Sequence, residues 1–372
     1  MTTPNKAKIV LRSEIDVVAA IPFLIGFTPI NSLVVLGLTG KRVALAVRVD
    51  LPAAEQLPQA AVESVDGIAG RIATDAETAL LVGFGEHDRV APIMDAALAA
   101  LQVRLVPVRQ ALRLTGDRIF CHLDDGCMPL TGVPFDPDAS TAPATAVLEG
   151  LVALADRDAL VQQLASVQGQ HRQAMDDATG RAITRLRRRI SATHRAAAPT
   201  AHDTAGHVES SIIHLGAAAV QEALTLAAAG QQLPDTHAAW ITVLLAILPV
   251  RDYAWEHTDD SDSHLQLWTD LTRRARTDLV AGPACLLAYS AMLRGNGALA
   301  DIAVHRALDS NPRYSMARIL LQAVRSGTPP HVFRDAVTSA TAATAGDSAG
   351  SDPDQRDEAI NTHDADGDVC TD

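Results

Sequence analysis

Two short segments rich in glycine carry the residue types that a small-ligand site needs. They contribute Gly26, Pro29, Asn31, Ser32, Gly83, Gly85 and His87. Ligands of α/β sheets bind beyond the carboxyl ends of strands, where backbone amides and polar side chains converge. Ser32 would be a nucleophile and His87 its base in a hydrolase-type reaction, although the chain has no G-x-S-x-G elbow. The competing interpretation is that both segments are sharp turns with capping or solvated polar residues.

Cysteine and histidine residues approach a metal-binding pattern without completing it. Cys121, His122 and Cys127 are close in sequence, but five residues separate the thiols, whereas zinc knuckles use two to four. Two ordinary thiols are the favoured interpretation, and zinc or a redox pair are the alternatives. His207 and His214 lie two helical turns apart, too far for one ion without a third element. The sequence therefore predicts no metal and no cofactor.

One basic segment interrupts an acidic chain. Four arginines share one side of a predicted helix: Arg181, Arg185, Arg188 and Arg189. An apolar stripe that includes Leu186 lies on the opposite side. Such a face binds phosphates, or it docks the acidic tail or a protein partner, or it is simply solvated. The net charge of −13 makes nucleic acid an improbable ligand.

The elements that would position these residues begin with a capping pattern, Ser13 followed by Asp16. It predicts a helix that ends near Pro22. Apolar runs over 33–38 and 43–49 predict two strands joined by a turn at 39–42, both central in the sheet. Further apolar runs predict a short strand over 9–11, a helix over 53–73, a strand over 78–84, a helix over 90–101, a strand over 103–108 and a hairpin over 112–123. The strand–helix–strand order predicts parallel pairs within a mixed sheet.

From residue 144 onward every apolar pattern has helical spacing. A group of four residues, Ala300, Val304, Ala307 and Pro312, matches the second helix of a tetratricopeptide repeat, without a second copy 34 residues away. We expect Trp268 to anchor helix packing. Arg251 and Asp252 are adjacent, so we expect them to point in different directions. The organisation is an α/β domain over 1–137, an all-helical domain over 138–338 and a disordered acidic tail over 339–372.

Composition limits the location of the protein. The four cysteines are scattered, which favours a reducing cytoplasm over a disulfide framework. No convincing signal peptide precedes the first helix, and the apolar run over 238–250 is too short to cross a bilayer. Residues 346–372 hold nine acidic residues and one arginine, so −8 of the net charge lies there and −5 remains for the folded part.

The sequence resembles an actinobacterial family known as domain of unknown function 4192. The likeness lies in IPFLIGFTPINSLVVLGL followed by VALAVRVDLP, then in RDYAW, HLQLWTDLTRR and GNGALADIAVHRALDSNPRYSMARILLQAV. It extends to about Pro330. Met128 stands where the resemblance implies an extra cysteine in relatives, which weakens a metal site further. The resemblance implies a fold and brings no activity.

The predicted fold is α+β or α/β: an N-terminal mixed β-sheet with flanking helices, then an all-α domain with a tetratricopeptide-like helix pair. The predicted function is a non-catalytic cytoplasmic interaction or scaffold protein with a protein partner and no membrane association. The alternative is an enzyme or small-ligand binder with a pocket at the strand ends of the sheet.

Overall fold

The structure is a computed structural model that describes residues 12–40, 42–52, 57–123, 128–149, 151–196 and 203–326. The chain separates into two units after Thr328, and every described residue belongs to the first. The predicted strand over 9–11, part of the turn at 39–42 and the acidic tail lie outside the described residues. The division of the folded part at residue 137 stays a prediction.

The first helix, α1, spans Glu14–Ile25 and begins as the capping pattern predicts. The Asp16 amide donates to Ser13 Oγ at 3.2 Å, while the Ser13 amide donates to the Asp16 carboxylate. The predicted end at Pro22 is wrong, because α1 continues for three more residues. It stops at Gly26, whose φ of 91° lets its amide bond the Pro22 carbonyl. Pro22 removes one donor, and burial of Ile21 and Ile25 holds the last turn in place.

A six-stranded mixed sheet follows, in the order β2-β1-β3-β4-β5-β6. Its strands are β1 Ser32–Thr39, β2 Arg42–Asp50, β3 Thr78–Phe84, β4 Val108–Thr115, β5 Arg118–Cys121 and β6 Val133–Pro134. Among the six described strands, only β3 and β4 pair in parallel; β1 pairs antiparallel with both β2 and β3. Helices α2 (Leu57–Asp75) and α3 (His87–Val103) pack on one face of the sheet.

Three strand predictions are wrong. The first is the second parallel pair, because β1 lies between β2 and β3 and pairs antiparallel with both. The central position holds for β1, which is buried along nearly its whole length, but β2 is an edge strand and is partly exposed. Its apolar face packs on α2, which explains its hydrophobic composition. The strand predicted over 103–108 does not form, because α3 continues to Val103. One strand, β4, instead pairs with β3 and also forms the hairpin with β5.

The second half is helical. It contains α4 Ala142–Leu148, α5 Arg157–Gln163, α6 Gly169–Ala196, α7 Asp203–Ala228, α8 Asp235–Leu244, α9 Leu248–Glu256, α10 Asp262–Arg274, α11 Ala281–Leu293, α12 Gly297–Ser310 and α13 Ser315–Ser326. Helix α11 is the centre, since all but its last residue are buried. Trp268 is fully buried and donates its indole N–H to Thr258 Oγ1 at 3.1 Å.

Backbone and side-chain contacts join α1 and the segment after it both to the helical part and to the sheet. The Thr28 amide donates to the Leu154 carbonyl, and the Leu154 amide donates to Gly26, both at 2.9 Å. Gln110 of β4 donates to the Glu14 carboxylate at 2.9 Å. Ser140 Oγ donates to Asp16 at 2.6 Å, and this bond is the main reason that the pKa of Asp16 is lowered.

Within the described residues, one helical stretch, Glu209–Ala228, is long and apolar enough to cross a membrane. Helices α8 and α9 would meet the same criterion only together, and they bend by 109° at their junction. The stretch in α7 packs against α6, α8, α9 and α10. A single helix of this kind is weak evidence for a membrane span.

Candidate partner-binding surface

The structure brings four of the predicted pocket residues to one end of the sheet. Ser32 pairs with Phe84 across β1 and β3, and Leu33 pairs with Gly83. Asn31 has a φ of 43°, and a Cβ added to Gly85 would lie 3.4 Å from its Oδ1. The φ of 140° at Gly85, which residues with a side chain rarely adopt, explains why a glycine precedes α3. Gly26 and buried Pro29 belong to the connection between α1 and β1.

Apolar packing fills the space beside these residues. A Cβ at Gly83 would lie 2.2 Å from Val90 Cγ1, so the glycine allows α3 to pack closely against β3. Ser32 is fully buried and neighbours Leu33, which faces the core under α3. Because successive side chains alternate across a strand, Ser32 points away from α3. His87 is the first residue of α3 and is exposed, so nucleophile and base are on opposite sides of the sheet.

Further polar residues lie near the ends of β3 and β4, and the sequence analysis named only His122 among them. The ring of His122 lies 6.5 Å from that of His87, and His122 Nε2 is 2.7 Å from Asp95 Oδ1. Arg113 stacks 4.3 Å over the Phe120 ring and bonds Thr115 Oγ1, which donates to the Gly85 carbonyl. Burial lowers the pKa of Arg113, and Glu86 acts in the opposite direction. These contacts couple the ends of β3 and β4 through satisfied side chains.

The cysteine and histidine predictions can be compared with the structure only in part, because some of these side chains lie outside the described residues. Cys121 is disulfide-bonded, so the prediction of an ordinary thiol there is wrong; spacing alone does not exclude a bridge. Cys127 lies outside the described residues, as does the side chain of His207. His214 is exposed on α7. Among the described residues, no group of three or more His, Cys, Asp or Glu side chains is arranged to hold a metal ion.

The four predicted arginines all lie on one exposed side of α6, and we call them the arginine face. Within the described residues no carboxylate lies at ion-pair distance from Arg181, Arg185, Arg188 or Arg189. Arg185 lies 4.3 Å over the ring of Trp240 in α8, a cation–π contact that fixes its position. The face is therefore a stretch of positive charge with one member held in place.

An open groove of about 980 Å³ runs along this face. It is lined by Asp176, Asp177, Gly180, Arg181, Thr184, Arg185, Arg188, Arg189 and Ala192. Gly180, Thr184 and Ala192 were not singled out from the sequence, although their spacing by multiples of four places them on one helical row. A Cβ at Gly180 would meet nothing within 4 Å.

The ends of α6 and α7 that face the connecting segment have little cover. We call residues 183–196 of α6 and 203–215 of α7 the arm. Where side chains are described, none between 183 and 195 or between 209 and 215 is buried. Burial begins at Ala182 on α6 and Gly216 on α7. The arm keeps the contact between its own two helices and the stacking of Arg185 on Trp240 of α8, with partly exposed residues such as Leu186 and Ile212 along it.

A second cluster lies inside the helical part and corrects one prediction. Arg251 donates through Nε and Nη2 to Asp252 Oδ1, at 2.9 and 2.6 Å, so the two adjacent side chains do meet. Long side chains can curl toward a neighbour on the helix surface. Burial alone lowers the pKa of Arg251, but hydrogen bonds with Tyr314 and Asp252 raise it overall. Burial also raises the pKa of the nearby Cys285 thiol.

The helices that were compared with a tetratricopeptide repeat are well packed. Ala300, Val304 and Ala307 are fully buried against α11, and Ile319 of α13 is half exposed. The buried spacing is as expected for two antiparallel helices, and the likeness to that particular repeat stays a prediction.

Comparison with known proteins gives a family and no activity. No curated protein and no solved structure matches the chain. A family model described as "Domain of unknown function (DUF4192)" matches residues 15–331. That range includes α1 except its first residue, the whole sheet and every described helix of the second half. The chain therefore belongs to the DUF4192 family.

Proposed function

We propose that the protein is a non-catalytic interaction protein of the actinobacterial cytoplasm, which binds a protein partner through its helical half. The observation that carries the proposal is the arginine face, a row of exposed cations with no carboxylate at ion-pair distance among the described residues, most of which lies on an arm that has no described buried side chain. Arginine is enriched in protein–protein interfaces relative to the rest of the protein surface.

The alternative, an enzyme with a pocket at the strand ends, has less support. The side chains of Val90 and Met94 fill the space beside Gly83, and Ser32 is buried on the sheet face away from α3. A nucleophile requires a base within hydrogen-bond reach. Tight packing at this end of the sheet supports a structural role for the two glycine-rich segments.

Photo-crosslinking in the native host tests the proposal. A photoreactive amino acid at Ala192, in the groove, should give a discrete adduct with another protein. The same residue at exposed Gln102 of α3 is the matched control and should give none. Adducts only from Gln102, or a small molecule that co-purifies by native mass spectrometry while Ala192 gives no adduct, would reject the proposal.

A further inference from the structure

We propose that the groove on α6 binds an acidic α-helix of the partner protein, whose carboxylates pair with the arginine face. The inference rests on the proposed function and names the chemistry of the partner. It follows from the spacing of the arginines, the small residues beside them and the charges at one end of the groove.

The first observation is a ridge of three arginines. Arg181, Arg185 and Arg189 are separated by four residues each, so they form one of the ridges by which helices pack. At 1.5 Å rise per residue, neighbouring arginines are about 6 Å apart along the axis. Glutamates four residues apart on a partner helix have the same spacing, so three carboxylates can meet three guanidinium groups in register.

The second observation is that the neighbouring row of side chains on α6 consists mostly of short residues. It consists of Gly180, Thr184, Arg188 and Ala192, all of which line the groove. A ridge of a partner helix fits such a groove, and the packing class with both i±4 rows is the commonest in globular proteins. Small side chains allow close approach of the two helices. Arg188 is the one long side chain of this row and adds a fourth cation.

The third observation concerns the charge at one end of the groove, which disfavours nucleic acid as the ligand. Asp176 and Asp177 line the end of the groove that precedes Arg181. Asp176 is paired with Arg172 at 3.1 Å, so it is Asp177 that leaves negative charge there and would repel a phosphate chain, whereas a helix can carry neutral or basic residues in its corresponding turn. Guanidinium groups bind carboxylates through two parallel hydrogen bonds, and the stacking of Arg185 on Trp240 reduces the entropy lost on binding.

A designed peptide tests the inference directly. The probe is a fluorescent, helical peptide of about 20 residues, the length that spans the groove, with glutamates at every fourth position. Its control has the same composition with the glutamates distributed around the helix. Fluorescence anisotropy with the full chain at low salt should show binding of the probe. The control should bind about tenfold more weakly, which is the effect of losing about three exposed ion pairs.

Two variants localise the binding. Arg185→Glu/Arg189→Glu should weaken binding of the probe by about tenfold or more. Arg273→Glu/Arg313→Glu, which reverses two exposed arginines outside the groove, has the same net charge and should bind like wild type. Gly180→Leu fills the groove without changing charge and should also weaken binding, while circular dichroism shows that the helices remain.

Three results would overturn the inference. They are equal binding of the two peptides, binding that survives the groove variants, and tighter binding of a single-stranded oligonucleotide of similar length. If the probe fails while crosslinks from Ala192 persist, the proposed function stands and the acidic helix is wrong. If neither occurs, both are wrong.

Discussion

The contact between α7 and α9 offers a quantitative test of how the arm is held. At Gly216 the two helices are so close that a Cβ would lie 2.2 Å from one methyl of Val250 and 2.7 Å from the other. Real Cβ contacts are not that short, so Gly216→Ala must displace Val250, which is fully buried. Overpacking by a methyl group costs about 1–3 kcal/mol.

The same substitution also improves helix propensity, and a control separates the two effects. Replacing glycine by alanine inside a helix stabilises it by about 0.5–1 kcal/mol. Gly67 in α2 is exposed, and a Cβ there would meet nothing within 4 Å. Gly67→Ala should therefore stabilise the protein, and the difference between the two variants should equal the overpacking cost, about 1–3 kcal/mol.

Urea unfolding followed by circular dichroism measures both variants. Adding Val250→Ala to Gly216→Ala should recover part of the loss, because the new methyl then occupies vacated space. The double-mutant cycle should give a favourable coupling of about 1 kcal/mol or more. If Gly216→Ala stabilises the protein as much as Gly67→Ala does, α7 and α9 are not in tight contact, and the explanation of how the arm is anchored is wrong.

Two further predictions concern ionisable groups. Ser140→Ala should raise the pKa of Asp16, measured by NMR titration, because the hydrogen bond that mainly lowers it is lost. Because the pKa of Asp16 is lowered in the folded state, its carboxylate stabilises the fold at pH values above its unfolded-state pKa, and this stabilisation is lost as the pH falls through its folded-state pKa. The variant's loss of about 1 kcal/mol in the free energy of unfolding should therefore shrink in acid. An equal loss at neutral and acid pH would contradict this origin. Cys285 should resist a thiol reagent in the native protein and react after unfolding, as burial raises its pKa and blocks access; rapid native labelling, detected by peptide mass spectrometry, would contradict its burial.

The fold was predictable where local signals and burial agree. Ser13 and Asp16 form the expected capping box, and the apolar run of β1 is buried on both faces. At Pro22 a local signal failed, because tertiary packing of the last turn of α1 outweighs one missing hydrogen bond. For β2, an apolar composition did not distinguish a central strand from an edge strand covered on one face, since position in the sheet depends on distant pairing.

The candidate site was likewise only partly predictable from the sequence. The arginine face was visible as helical spacing in the sequence, and all four side chains are exposed on one side of α6. The groove beside it was not visible in the sequence, because it depends on which residues remain exposed after folding. Trp240 lies 55 positions beyond Arg185, so no local pattern could place its ring beneath that guanidinium. Residue spacing therefore predicted the arginine face, whereas the groove beside it could be seen only in the tertiary structure.

Glycines have opposite consequences in the two halves of the molecule. At Gly83 the space that a side chain would take is occupied by Val90, and at Gly216 it is occupied by Val250. Each glycine therefore brings two elements into contact and leaves no room for a ligand. At Gly180 the missing side chain leaves open space beside cations that have no described carboxylate partner. Since burial of an unpaired arginine is costly, a partner that covers this groove has to bring negative charge. This is why we propose interaction through α6 rather than chemistry at the closed end of the sheet.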